Sequence, residues 1–230
     1  MTSFFCFNQF NNSTTRTHII NYCIRKLVAK KYLEIGVRCG DNFFNIECYN
    51  KIGVDPNYFF AKRKLLQAYL KPHNWFLKMY KLKSNEFFHT FGYTNFNKKD
   101  LDVVFIDGLH TYEQSFNDCI NSLVYLGDDG IVILHDCNPT NKIAAQKELP
   151  KENINWNGDV WKTIYHFRQH PHLFECFTIE ADQGIGILRF RNRPTDEQLL
   201  AMKTESKISN LSYDFLASDR KRAIGLNTFE

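Results

Sequence analysis

The sequence has no apolar run approaching the roughly 20 residues that cross a bilayer. Its longest strand-like runs are Val103–Ile106 and Ile131–Leu134. Met1–Phe10 has neither a basic leader region nor a continuous apolar stretch, so no secretory signal is expected. Cys-x-x-Cys pairs are missing too: Cys6, Cys23, Cys39, Cys48, Cys119, Cys137 and Cys176 stand apart, and their number is odd. That spacing argues against a bridged secreted scaffold and for reduced thiols in a cytoplasmic protein. Strong charge is absent as well. With 29 basic and 25 acidic residues the net charge is +4, too mild to imply a nucleic-acid partner. No repeat or low-complexity tract breaks the chain.

What is present suits an ordinary folded domain. A 43% hydrophobic content excludes a disordered polyelectrolyte, and 230 residues fit one α/β domain with short extensions. From Thr17 the residues Ile20, Cys23, Ile24, Leu27 and Val28 recur at helical spacing. Seven strand-like runs follow: Tyr32–Gly36, Lys51–Asp55, Trp75–Tyr80, Leu101–Asp107, Gly130–Asp136, Leu173–Glu180 and Ile185–Phe190. Helical stripes alternate with them, notably Thr111–Leu126, which predicts a mostly parallel sheet with helices on both faces. The last two runs are joined by Ala181–Gly184, so short that they must be antiparallel. Residues 1–15 read as an arm or lid, 16–194 as the domain and 195–230 as a helical extension.

The stretch Tyr32–Gly40 is the most informative. A buried strand runs into Gly36, Gly40 opens the expected next helix, and the second strand ends in Asp55, suited to accept hydrogen bonds from ribose hydroxyls. A nucleoside-containing cofactor is expected. It is not a dinucleotide, because Arg38 breaks the required glycine pattern and Glu34 suits a cationic ligand end. Glu34-x-Gly36-x-x-x-Gly40 with Val54-Asp55-Pro56 resembles motifs I and II of class I S-adenosylmethionine-dependent methyltransferases. Arg38 stands where many members carry a third glycine.

Two more strand ends carry acids: Asp107 in Ile106-Asp-Gly-Leu-His110-Thr-Tyr-Glu113, and Asp136 in Ile133-Leu-His135-Asp-Cys-Asn-Pro139. Buried acids at the carboxyl ends of strands need a partner. Together with Gly158-Asp-Val-Trp-Lys162, these segments resemble a branch common among sugar and natural-product O-methyltransferases. The resemblance spans about residues 30–190 and implies a Rossmann-like α/β fold whose seventh strand is reversed. It also implies methionine-end contacts at Glu34 and Gly36 within the turn closed by Gly40, ribose contacts at Asp55, and adenine near Lys83 and Ser84. Asp107 and His110 would line the junction between cofactor and acceptor, and Asp182-x-Gly184-x-Gly186 would shape the turn before the reversed strand.

Methyl transfer to a hydroxyl needs in-line positioning and loss of the acceptor proton. His110 and His135 are candidate bases, whereas Asp107 and Asp136 could instead hold Mg²⁺ or Mn²⁺. The plainer alternatives are a backbone-bonded core histidine at His135 and a turn cap at Asp136. Trp156 and Trp161 could stack on a sugar or belong to the core. The favoured acceptor is a hydroxyl of a sugar or glycan precursor, with a phenolic or other natural product as the alternative. An RNA methyltransferase or a non-catalytic binding protein represents a different class. The basic stretches at Arg25–Lys31, Lys62–Lys64 and Lys78–Lys83 read as solvated faces, and a homo-oligomer stays open.

Overall fold

A helix forms where the apolar spacing predicts it. In the computed structural model, which describes residues 5–11, 13–151 and 155–227, helix α1 spans Arg16–Leu27. It buries Ile19, Ile20, Cys23 and Ile24, carries Arg25 and Lys26 in its last turn against the helix dipole, and stops where Val28 turns left-handed. Strands β1 (Lys31–Ile35), β2 (Asn50–Val54), β3 (Lys78–Tyr80), β4 (Leu101–Ile106) and β5 (Leu126–Leu134) are mutually parallel. Helices α2 (Lys62–Tyr69), α3 (Tyr112–Tyr125) and α4 (Trp161–Arg168) connect or follow them. Strands β6 (Phe174–Ile179) and β7 (Ile185–Phe190) form the predicted antiparallel pair, with β7 inserted between β5 and β6.

The sheet order is β3-β2-β1-β4-β5-β7-β6-β8. Eight strands stand where seven were expected; the addition is the two-residue β8 (Leu226–Asn227), parallel to β6 and too short to carry a pattern. Alternate residues of the central strands feed two cores. Leu33, Ile52, Val104, Ile106 and Leu134 pack beneath Tyr112, Phe116, Trp161 and Phe167. Tyr32, Val103, Phe105, Ile131 and Ile133 pack on the opposite face against Ile20, Ile24, Phe43 and Phe44. Such period-two alternation with both faces covered is what a buried parallel sheet requires. Trp161 thereby falls in the core, 1% exposed, and not in a sugar site.

Two local expectations need correction. The helix predicted after Gly40 is only a 3₁₀ turn, Phe43–Asn45. Phe43, Phe44 and Ile46 are drawn into the core there, and the buried Lys51 ammonium donates to the Phe43 and Ile46 carbonyls in place of helical partners. The third strand starts at Lys78, because Trp75 and Phe76 lie in an exposed turn. At the chain ends, Phe5, Phe7 and Phe10 are buried around Tyr22 and Phe177, while residues 1–4 lie outside the described set. Leu199, Ile208, Leu216 and Ile224 of the C-terminal segment join the core beside α3 and α4.

Since Phe7 is packed among four rings, Phe7→Ala should destabilise the fold by about 3 kcal/mol and lower the melting temperature by roughly 5–10 °C. A change under about 1 kcal/mol in a denaturant titration would mean the segment stands off the body as a lid.

Candidate active site

The parallel strands β2, β1, β4 and β5 lie side by side, so the residues just past their carboxyl ends share one rim: Asp55, Gly36, Asp107, and the His135-Asp136 pair. Ligands in open α/β sheets bind at this rim, near the point where the strand order reverses. A cleft of about 1280 Å³ opens here. Gly36 adopts φ +90°, and a Cβ on it would sit 1.9 Å from the Asp107 carbonyl oxygen. Its lack of a side chain lets the β1 and β4 exits cross, so the backbone itself demands this glycine.

One end of the cleft is a polar cradle. Arg38 N–H donates to Asp55 Oδ2 at 2.7 Å and Asn57 N–H to Asp55 Oδ1 at 2.6 Å, which fixes the carboxylate with lone pairs still facing outward. Arg38 takes the left-handed conformation, φ +49°, which explains why glycine suits this position. Glu34 is 1% exposed, accepts from Tyr32 Oη at 2.5 Å and from Asn42 Nδ2 at 2.8 Å, and lines the cleft. Burial pushes its carboxyl up to about 8. Ser84 accepts from Gln114 Nε2 at 3.1 Å; the same amide donates to buried Asp118 at 2.9 Å, and all three line the cleft beside Lys83.

The other end gathers acids and imidazoles. His110 Nδ1 lies 2.9 Å from the Trp156 carbonyl, which can only accept, so Nδ1 carries a hydrogen and Nε2 faces the acids. That Nε2 stands 3.5 Å from Asp107 Oδ1 and 3.3 Å from Asp136 Oδ2. His135 bridges the acids: Nε2 faces Asp182 Oδ1 at 3.3 Å, and Nδ1 lies 3.4 Å from Asp107 and 2.9 Å from Asp136. His135 is 3% exposed, and its Nδ1 has no well-formed hydrogen bond. Two carboxylate oxygens and two imidazole nitrogens therefore converge, and, despite burial, the acids strengthen the hold of both rings on a proton. Donor atoms of Asp107, His110 and Asp136 lie within 4.8 Å of one another, a spacing that suits a metal ion. Burial alone would raise the Asp107 carboxyl, but His135, His110 and Arg16 outweigh it and hold it far below the usual range.

Residues 33–137 match the family model described as a methyltransferase domain. That stretch is thus similar to methyltransferase domains, and the solved structures with the same fold include methyltransferases bound to S-adenosylhomocysteine. Among solved structures it is similar to the S-adenosylhomocysteine-bound methyltransferase PaMTH1 of Podospora anserina, with 14% identity, 77% of this chain and 78% of that one covered, and a TM-score of 0.55. The O-methyltransferase of Bacillus cereus, also a complex with S-adenosylhomocysteine, shares 10% identity over 79% of this chain and 83% of that one, with a TM-score of 0.54. TomG of Streptomyces achromogenes, an O-methyltransferase of tomaymycin synthesis, shares 13% identity over 76% and 79%, with a TM-score of 0.53. At such identities these likenesses concern the fold. No curated protein sequence matches the chain.

Most residues anticipated from the methyltransferase motifs meet in this cleft: Glu34, Gly36, Asp55, Ser84, Asp107, His110, His135 and Asp136 all line it. Gly40 does not; a Cβ there would strike the rings of Phe44 and Phe60, so its role is packing. His135 is neither a backbone-bonded core residue nor a bystander, since its ring faces three carboxylates. Sequence reasoning missed Arg16. Its guanidinium donates to Asp107 at 2.7 Å and grips both oxygens of Asp182 at 3.0 Å, tying α1 to the β6–β7 turn. Asn157 was missed too, and donates to Asp136 Oδ1 at 2.9 Å. Asp118 could have been found as an acid inside the buried stripe of α3, with Gln114 one helical turn before it.

Glu34 supplies a pH test on the ligand-free protein. Its carboxyl rises from 4.5 to about 8 on folding, so the native state holds an extra proton between those values and stability falls as pH rises across that window. Glu34→Gln removes the penalty. Thermal melts should show the variant gaining a few kcal/mol over the parent at pH 8 and almost nothing at pH 5. An equal gain at both pH values would mean the carboxyl is ionised throughout.

Proposed function

We propose that the protein transfers the methyl group of S-adenosylmethionine to a hydroxyl of a sugar or glycan precursor, with the acceptor activated at Asp107, His110 and Asp136. The observation that carries this reading is the convergence of two carboxylates and an imidazole beside a cradle suited to a nucleoside with a cationic tail. Glu34 would meet the amino-acid end of the cofactor, Asp55 the ribose, and Ser84, with Gln114 and Asp118 behind it, the adenine.

The donor set fits a divalent cation. Two carboxylates with an imidazole, and the orphaned His135 Nδ1 behind them, favour Mn²⁺ over Mg²⁺. Bound there by Asp107, His110 and Asp136, such an ion would lower the pKa of an acceptor hydroxyl. The side chains have their own work. Where no ion is bound, His110, the more exposed imidazole with its ring oriented by the Trp156 carbonyl, is the base within reach of an acceptor proton through Nε2. Asp107 and Asp136 stabilise the positive charge this creates. Arg16 and Asn157 hold the remaining oxygens of those carboxylates, so neither can swing away.

An uncharged acceptor fits the wall better than a phosphorylated or coenzyme A-linked one. The cleft-lining cations besides the histidines are Arg16, Arg38 and Lys83. Arg16 is consumed by two carboxylates, and the other two stand at the Asp55 and Ser84 end. The Trp156 ring stacks on His110 with centroids 5.0 Å apart and offers a flat surface to a sugar ring. That surface also accepts a phenolic ring, and a panel of uncharged sugar and phenolic acceptors separates the two.

Titration calorimetry should show S-adenosylhomocysteine binding that weakens at least about tenfold in Asp55→Ala, the scale of losing a charged hydrogen-bond pair. Unchanged binding would contradict the cofactor assignment. His110→Ala should lower kcat by about 10²–10⁴-fold while S-adenosylhomocysteine affinity stays within a few fold. Mn²⁺ paramagnetic resonance should report a bound ion in the parent and none in Asp136→Ala. If the parent binds no Mn²⁺, activation rests on His110 alone.

A further inference from the structure

The net charge of +4 conceals an uneven distribution. Between Pro56 and Asn85 there are seven lysines and arginines (Lys62, Arg63, Lys64, Lys71, Lys78, Lys81, Lys83) and no acidic residue. The rest of the chain therefore carries 22 basic against 25 acidic residues, so this segment holds the whole positive excess. It forms α2, the turn after it and the edge strand β3. Ala68 is the buried residue of α2, and Leu65 packs on the core. The opposite face turns Leu66 (69% exposed) and Leu70 (76%) to solvent one helical turn apart.

Other large apolar groups share this side of the molecule. Trp75 (59% exposed) is anchored by its indole N–H to the Tyr69 carbonyl at the end of α2, and Phe76 (69%) follows it. Phe59 (67%) precedes the helix. Solvent-exposed apolar groups in this concentration mark an interaction surface. Among the described residues Lys64 pairs with Asp41, whereas Lys62, Arg63, Lys71, Lys78 and Lys81 meet no carboxylate within ion-pair distance.

We propose that the outer face of α2, from Phe59 to Phe76, docks on an anionic lipid surface. Aliphatic and aromatic side chains mixed with unpaired lysines and arginines are the composition of an interfacial element lying in the plane of a membrane. The cations would meet the headgroups, while Leu66, Leu70 and Phe76 would enter the acyl boundary. Charge complementarity selects this occupant. A second copy of the chain would bring an equally positive face against this one. A single-stranded nucleic acid would stack on the rings but leave Leu66 and Leu70 in water. At two turns α2 is too short to span a bilayer, and no helix of the described residues is long and apolar enough to do so. The surface also abuts the cleft, because Phe59 N–H donates to the carbonyl of Arg38, whose own N–H holds Asp55. The docking claim is independent of which acceptor is methylated.

Vesicle co-sedimentation tests it on the full chain. Binding is expected to equimolar phosphatidylcholine–phosphatidylglycerol vesicles and not to phosphatidylcholine alone. Lys62→Glu with Arg63→Glu should weaken it by more than tenfold, given roughly fivefold for each neutralised cation. Leu66→Ser with Leu70→Ser should weaken it at least about tenfold, given the area of two leucines, with the melting temperature and S-adenosylhomocysteine affinity retained. Absence of binding to anionic vesicles overturns the proposal. So does binding that ignores the leucine changes, or tighter binding to single-stranded RNA that competes with vesicles. A concentration-dependent dimer in sedimentation velocity that the leucine changes dissolve would assign the face to a second copy instead.

Discussion

Two carboxylates and two imidazoles meet at the ends of β4 and β5. Asp107 Oδ1 and Asp136 Oδ2 face the ring nitrogens of His110 and His135 at 2.9–3.5 Å. Such an arrangement is repulsive unless a proton or a cation sits within it. The rest of the site acts to hold those atoms in place. The Trp156 carbonyl and Asp182 orient the two imidazole rings, and Arg16 and Asn157 secure the outer carboxylate oxygens. Removing any of these would let the cluster relax apart.

The fold brings these parts together through close backbone approaches. Gly36 lets β1 cross the exit of β4, and Gly158, at φ +64°, lies so near that a Cβ would fall 1.7 Å from the His110 carbonyl. Asp159 N–H donates to the same carbonyl, so the loop before α4 is fastened directly onto the segment that carries His110. The β6–β7 turn, with Asp182 and Gln183 left-handed, aims one carboxylate at both Arg16 and His135. Backbone strain of this kind persists where the surroundings over-determine it, and here it surrounds the proposed chemistry.

Legibility followed sequence distance and burial. Strand ends were readable because buried parallel strands are apolar runs, and an acid or glycine that stops such a run must have a reason: Glu34, Gly36, Asp55, Asp107 and Asp136 all emerged that way. The helix after Gly40 misled, because Phe43, Phe44 and Ile46 mimic a helical face while serving as a core plug whose carbonyls Lys51 satisfies. Arg16 left no signal, since its partners stand 91 and 166 positions away, at Asp107 and Asp182. Asp182 read only as a turn former, and its second role depends on how β7 is inserted. The mild overall charge hid a basic, apolar face that only the exposure of Leu66 and Leu70 makes visible.

The account turns on what fills the space between Asp107, His110 and Asp136. The most direct measurement is a crystal structure with S-adenosylhomocysteine, collected at the manganese edge after addition of Mn²⁺. The account predicts an anomalous peak bonded to Asp107 and Asp136, with the cofactor's amino-acid end at Glu34 and its ribose at Asp55. An ordered cofactor beside a cluster with no peak would contradict the cation. A cofactor lying elsewhere would contradict the site.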